Sequence, residues 1–208
     1  HKVCPAFRPD HFSHFPDIRE QIVFKLIHAD SNEALLEQIP HNRFLDLALV
    51  FYLQLEHSEH GQMSALLYNE HLSLWDTDIN ELTRLATENT PRLFPLSLSS
   101  MRDVMKEIAK ANLKEDYNEE VMDCLLEQNT QEELYVLTNT YGIYGSCCML
   151  YEQVLKQFAE RMDKDLIILP SSVHEVLLLP EAEDVSYDNL REMVRHINLS
   201  EVPKEEFL

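Results

Sequence analysis

The chain has little glycine, only three among its 208 residues. Loops that cradle phosphate groups need several glycines within a few positions, because the backbone must approach the ligand closely. Gly61, Gly142 and Gly145 do not form such a run, and none lies in a G-x-S-x-G nucleophile turn. We therefore expect neither nucleotide hydrolysis nor a dinucleotide cofactor, and we assign no cofactor.

Basic side chains are also few. The chain has 17 Lys and Arg against 37 Asp and Glu, which gives a formal net charge of -20. A surface with this charge repels phosphate backbones and anionic lipid head groups. We expect no nucleic-acid partner and no membrane partner, and a basic protein or peptide is the partner whose charge fits. The sequence assigns no oligomeric state.

The four cysteines form no disulfide framework. Cys4, Cys124, Cys147 and Cys148 lack C-x-x-C spacing, and adjacent cysteines cannot close an ordinary disulfide without severe backbone strain. Reduced thiols are typical of the cytosol, so we expect a cytoplasmic protein. The sequence contains no apolar run long enough for a membrane span and no signal-peptide pattern. Because the chain begins at His1 rather than Met, removal of an export signal stays an open alternative.

Periodicity predicts an irregular lead-in over residues 1–16, a single α+β domain over residues 17–200 and a tail over residues 201–208. Scattered aromatics and prolines without a period are typical of an irregular segment. The chain end is expected to be frayed. No internal repeat or low-complexity linker interrupts the predicted domain.

Alternating apolar residues predict a β-hairpin in the first half of the chain. Over residues 44–56 one face carries Leu45, Leu47, Leu49, Phe51, Leu53 and Leu55. A helical stripe also fits this segment, so a helix stays an alternative. Polar residues 57–61 predict a turn, after which residues 63–68 alternate again. Residues 22–27 fit either a strand or the end of a helix.

Helices follow this hairpin. Asp78 and Glu81 have the spacing of a capping box, and Pro91 predicts where that helix ends. Further helices with apolar stripes begin near Ser99 or Ser100, Asn118, residue 154 and Ser186.

The most apolar stretch is DLIILPSSVHEVLLLP, residues 165–180. Its two apolar runs flank a polar insert, which predicts two strands forming the central pair of a sheet. Residues 133–138 predict another strand. The elements show no regular βαβ alternation. We therefore predict an α+β fold with a mainly antiparallel sheet and helices packed on one face.

The polar insert contains the candidate catalytic residues Ser171, Ser172, His174 and Glu175. On an extended segment Ser172 and His174 would share a face, where Glu175 or a distant acid could orient the imidazole for nucleophilic catalysis. The sequence offers no oxyanion hole for this chemistry. The favoured alternative is structural: Ser172 and Glu175 form a capping box around one turn of helix, and His174 faces solvent or the backbone.

Other reactive groups have weaker support. Metal binding would need three ligands and a second shell, so we assign no metal. Cys147 or Cys148 would be reactive at the start of a helix, but buried inert thiols are commoner. The acidic pairs 115–116 and 119–120 lack the spacing and glycine of a calcium loop. The histidines and glutamates considered as metal ligands are His57 and His60 with Glu56 or Glu59, together with His41 and His71.

Seven motifs occur in a fixed order: IVFKLI (22–27), PHNRFLDLALVFY (40–52), ATENTPRLFP (86–95), YVLTN (135–139), GSCCMLY (145–151), ILPSSVHEVLLLP (168–180) and LREMVRHIN (190–198). Together they resemble an uncharacterised bacterial domain-of-unknown-function family of gut Gram-positive bacteria, and more weakly the YtpQ-like proteins. The resemblance covers residues 17–198. It implies a bacterial, intracellular origin and a shared fold, and family members carry a further N-terminal region. It transfers no catalytic residue.

Two functions remain in competition. The first is a non-enzymatic intracellular domain that binds a protein or peptide, because an open antiparallel sheet has an edge to which a partner strand can pair. The second is a small hydrolase that uses Ser171 or Ser172 with His174.

Overall fold

The structure, a computed structural model, describes residues 14–58, 61–114, 117–127, 134–182 and 185–208. The chain divides into two compact units, residues 1–95 with residue 208, and residues 96–207. The strands belong to two four-stranded sheets, both antiparallel, and helices accompany each. The predicted α+β class is therefore confirmed, with two sheets where one was expected. The single domain over residues 17–200 stays a prediction.

The first unit is built round its longest strand. Its strands are β1 (Ile22–His28), β2 (His41–Phe44), β3 (Leu47–Ser58) and β4 (Gly61–Leu66). Its helices are α1 (Phe15–Ile18), α2 (Glu33–Leu36), α3 (Asn69–Leu74) and α4 (Ile79–Leu93), with 3-10 turns at Arg19–Gln21 and Asp30–Asn32. β1 pairs with one side of β3, and β2 and β4 pair with successive parts of the other side. The predicted hairpin is β3 with β4, and its tip at residues 59–60 lies outside the described residues.

One strand of the first unit begins later than predicted. Phe44 pairs with Leu47, so Leu45 and Asp46 form a tight turn between β2 and β3. Leu45 has a left-handed φ of 55° and is 84% exposed. Leucine carries none of the usual signal for such a turn, which favours Asn, Asp or Gly. The alternating pattern of residues 44–56 therefore includes a turn at Leu45 and Asp46, where the chain reverses direction.

The core of the first unit lies along β3 and β1. Phe51 and Leu53 of β3 are fully buried, and α4 packs against β1 with Leu82 and Ala86 buried. A second apolar cluster joins α2 to the same sheet. Its buried members are Ala29, Leu36, Ile39, Ala48 and Val50.

Helix α4 begins as predicted and ends later. The N–H of Glu81 donates to Asp78 Oδ1 at 2.9 Å, so Asp78 is the N-cap. The predicted end at Pro91 is wrong, because α4 continues to Leu93. A proline removes its own helical hydrogen bond, but the next residues can complete the last turn, and Phe94 N–H still donates to the Thr90 carbonyl at 2.8 Å.

The second unit contains the other sheet. Its strands are β5 (Leu96–Ser100), β6 (Tyr135–Asn139), β7 (Leu166–Ser172) and β8 (Glu175–Pro180), in the spatial order β5-β6-β8-β7. Its helices are α5 (Met101–Leu113), α6 (Glu119–Glu127), α7 (Val154–Met162) and α8 (Tyr187–Glu201), with 3-10 segments at Gly145–Leu150 and Lys204–Glu206. The side chains of Ser100, Asn118 and Ser186 cap α5, α6 and α8. The sequence predicted helix starts at these positions, with Ser99 as the alternative to Ser100.

The second sheet corrects three details. The predicted strand pair in residues 165–180 is confirmed, but only β8 is interior, because β7 lies at the sheet edge. Strand β5 was not predicted at all. Within the predicted tail, residues Lys204–Glu206 form a 3-10 turn, and the Glu206 carbonyl accepts a 2.9 Å hydrogen bond from Val173 N–H. The buried face of this sheet includes Leu137, Val176 and Leu178, each less than 1% exposed.

Candidate functional site

The four candidate catalytic residues surround the turn between β7 and β8. Ser172 pairs with Glu175, so the connection is a two-residue turn rather than the expected turn of helix. The backbone N–H of His174 donates to Ser172 Oγ at 3.0 Å. The hydroxyl of Ser171 donates to Glu175 Oε1 at 3.1 Å. Both serine hydroxyls therefore bond to atoms of the hairpin itself.

The imidazole of His174 is directed at two other groups. The backbone N–H of Tyr144 donates to Nδ1 at 3.1 Å, and the Tyr144 ring stacks on the imidazole with centroids 5.5 Å apart. Nε2 lies 3.7 Å from Glu206 Oε1. In the described part of the chain, neither Ser171 nor Ser172 bonds to this ring. The structure thus brings the four residues together without the Ser–His hydrogen bond of nucleophilic catalysis, and their catalytic role stays a prediction.

Sequence reasoning missed the residues that support this turn. Thr138 Oγ1 donates to the His174 carbonyl at 2.8 Å, and Ser146 Oγ donates to the Val173 carbonyl at 2.8 Å. Gly145 passes so close that an added Cβ would lie 2.1 Å from Thr138 Oγ1. The motif around Gly145 was visible in the sequence, but its contact with the turn depends on the tertiary fold.

The paired cysteines are buried. Cys147 is 2% exposed and Cys148 is less than 1% exposed, within the 3-10 segment. Hydrogen bonding with Cys148, together with burial, raises the pKa of the Cys147 thiol well above its ordinary value. Burial likewise raises the pKa of the nearby Tyr151 hydroxyl. The same hydrogen bond with Cys147 lowers the pKa of the Cys148 thiol, so the environment of an inert thiol holds for Cys147 alone.

The proposed metal ligands do not converge in the described residues, where no group of three His, Cys, Asp or Glu side chains could hold an ion. His41 Nδ1 lies 3.1 Å from the Ile39 carbonyl, and His71 Nδ1 accepts from Tyr68 N–H at 2.8 Å. The side chains of Glu56 and His57, the candidates at residues 59 and 60, and the acidic pair 115–116 lie outside the described part of the structure.

The first unit has an open acidic depression of about 440 Å³, lined by Asp76, Thr77, Asp78 and Glu81. Two of its carboxylates already stabilise α4. The backbone N–H of Glu81 holds the pKa of Asp78 below its usual value, and hydrogen bonds from Arg84 do the same for Glu81. These contacts explain the depression by helix capping and surface pairing, and it carries no functional assignment.

The outer edge of β1 is closed by side chains of α4. Thr90 Oγ1 accepts from Phe24 N–H at 3.1 Å. The amide of Asn89 donates to the carbonyls of Ile22 and Arg19 at 2.9 and 2.8 Å. Thr90 and Asn89 belong to the ATENTPRLFP motif, so two of its residues satisfy backbone groups of this edge strand and of the turn before it.

Strand β5 has a different edge. It pairs with β6 on one side, and Met101 N–H extends this ladder to the Leu134 carbonyl at 2.7 Å. Since hydrogen-bonded positions alternate along an antiparallel ladder, Ser97 and Ser99 bond to β6. The N–H and C=O groups of Leu96 and Leu98 therefore point away from it. Within the described ranges, no strand pairs with this side of β5.

Fold and geometry define an acidic α+β protein with two antiparallel sheets, and no strand of the described ranges pairs with the outer side of β5. No helix within the described ranges combines the length and apolar composition needed to cross a membrane. The family of unknown function DUF5688 matches residues 1–208. The chain therefore belongs to this family, which confirms the expected membership of a domain of unknown function. Neither the curated proteins nor the solved structures contain a match to the chain.

Proposed function

We propose that this protein is a non-enzymatic binding module that takes an extended, basic segment of a partner protein as an additional strand along β5. The observation that carries the proposal is the direction of the Leu96 and Leu98 backbone groups, away from β6. Strand addition supplies backbone hydrogen bonds to such an edge, and side chains then set specificity.

The two faces of β5 specify the pattern of the added segment. Leu98 pairs with Leu137, which in turn pairs with Val176, so all three lie on one face of the sheet. Leu137 and Val176 are fully buried, while Leu96 is 39% exposed. An apolar side chain beside Leu96 or Leu98 would extend this buried face. The opposite face carries serines, so the segment would alternate apolar and polar residues.

Charge selects the polar residues of that segment. Acidic residues outnumber basic ones by 37 to 17, and a positively charged segment would associate faster and discriminate against acidic competitors. We extend the same proposal to a bacterial, cytoplasmic location. The buried thiols of Cys147 and Cys148, which form no disulfide, and the family resemblance support it.

The test uses a short labelled peptide of alternating Val and Lys, with binding followed by fluorescence anisotropy at low and high salt. The Leu98→Pro variant removes the outward N–H without removing a ladder donor to β6. We expect it to weaken binding about tenfold, which corresponds to the net free energy of one or two hydrogen bonds. Leu98→Ala, which keeps the N–H and loses the side chain, is the matched control and should retain more affinity than Leu98→Pro.

A second arm changes the peptide. Methylation of alternate backbone nitrogens on the edge that faces β5 should abolish binding, because those groups can no longer donate to the strand. Equal affinity for the methylated and unmethylated peptides, or for Leu98→Pro and the parent protein, would refute strand addition. Absence of peptide binding at low salt would refute the binding function itself.

A further inference from the structure

Helix α6 carries an apolar ridge that its own unit leaves exposed. Val121 and Leu125 lie one helical turn apart and are 56% and 51% exposed, with exposed Cys124 beside them. The helix is anchored by a different stripe, where Met122 is half-buried and Leu126 is 4% exposed. One stripe therefore packs inward while another presents apolar surface to solvent.

The charge of α6 is of one sign. Its sequence EEVMDCLLE contains four acidic residues and no basic residue. Asp123 forms an ion pair with Lys106 of α5, which also fixes the two helices to each other. Glu119 and Glu120 are exposed, and within the described residues neither carboxylate forms an ion pair. The exposed ridge therefore lies on a helix whose own charge is negative, and Lys106 of α5 attracts both Asp123 and Glu119.

We propose that α6 is a docking surface for an amphipathic helix of a partner protein, with an apolar stripe flanked by Lys or Arg. The apolar stripe would cover Val121 and Leu125, and a basic flank would meet Glu120. A second copy of this chain fits poorly, because its own α6 is acidic and the formal charge of each copy is -20. The surface is separate from strand β5, so this inference does not depend on strand addition.

The experiment measures binding of a labelled Leu/Lys peptide designed as an amphipathic helix. Its control is a peptide of the same composition whose scrambled order has no apolar stripe. Leu125→Gln removes the centre of the ridge with little effect on folding, because the side chain is half-exposed. Ile108→Gln on α5 is the matched control, since Ile108 is 56% exposed on the neighbouring helix.

We expect Leu125→Gln to weaken binding of the amphipathic peptide about tenfold, and Glu120→Lys to weaken it by a similar factor at low salt. Ile108→Gln and Leu98→Pro should bind it as the parent protein does. Equal losses at Leu125 and Ile108, or equal binding of the scrambled peptide, would overturn the proposal. Concentration-dependent dimerisation that Leu125→Gln abolishes would also overturn it, by assigning the ridge to a second copy.

Discussion

The hydroxyl of Thr138 donates a 2.8 Å hydrogen bond to the carbonyl of His174, thereby joining strand β6 to the turn between β7 and β8. Gly145 lies against this bond, since a Cβ on it would be 2.6 Å from the His174 carbonyl oxygen. The segment with the densest reactive side chains is thus held from several sides by side-chain and backbone contacts. Its geometry is that of a structural junction within the second unit.

Substitution of Gly145 by Ala should destabilise the protein by about 1–3 kcal/mol or more, because the methyl group overlaps Thr138 Oγ1 and backbone atoms that cannot move independently. Urea unfolding followed by circular dichroism measures this change. Gly142→Ala is the control, because a Cβ there meets no atom within 4 Å. Its φ of +66° should cost about 1–2 kcal/mol from backbone strain alone. A stable Gly145→Ala variant would show that the junction can relax.

Thr90→Val should cost about 1–3 kcal/mol, because Phe24 N–H loses the buried hydroxyl that accepts from it. Amide hydrogen exchange at Phe24 should become faster in this variant. Thr90→Ser keeps the hydroxyl and should leave that amide protected, although the lost methyl group lowers stability. Unchanged exchange in Thr90→Val would contradict the closure of the β1 edge by α4.

The hydrolase hypothesis can be tested with an activated ester such as p-nitrophenyl acetate. Because the ring of His174 bonds to Tyr144 N–H and faces Glu206, we expect Ser172→Ala and His174→Ala to hydrolyse the ester as the parent protein does. A catalytic Ser–His pair would lose about a hundredfold or more in rate in each variant. A loss of that size in both variants would contradict a purely structural role for Ser172 and His174.

The cap of α4 should make stability depend on acid pH. The Glu81 N–H lowers the pKa of Asp78 from 3.8, so the folded state holds this proton more weakly than the unfolded state. The stabilisation is present above the unfolded pKa and is lost as pH falls through the lower folded pKa. We expect the thermal midpoint of Asp78→Asn to be below that of the parent at neutral pH and to approach it in strong acid.

The control for that experiment is Asp76→Asn, which removes a nearby carboxylate that caps no helix. Its midpoint relative to the parent should vary less with pH than that of Asp78→Asn. Parallel pH profiles for the two variants would attribute the effect to the general acidity of the surface instead of the cap.

Local signals predicted much of the secondary structure. The caps at Asp78, Ser100 and Asn118 were correct because each side chain bonds to a backbone N–H three residues away. Local signals failed at Leu45, because leucine does not predict the left-handed backbone conformation of this turn. They also failed at β5, because five residues are too few for a clear period. The sequence located the candidate site but did not predict its hydrogen bonds, because their partners are distant along the chain.

The sequence by itself determined the acidic charge, the scarcity of glycine, the starts of helices α4, α5, α6 and α8, and the strand pair in residues 165–180. These properties depend on composition or on residues a few positions apart. Only the tertiary structure decided that β7 and β5 are outer strands, that α4 closes the edge of β1, and that His174 bonds to Tyr144, 30 residues away. The physical reason is that periodicity identifies which face of an element is apolar, while the partner that satisfies a backbone or ring nitrogen is chosen by packing.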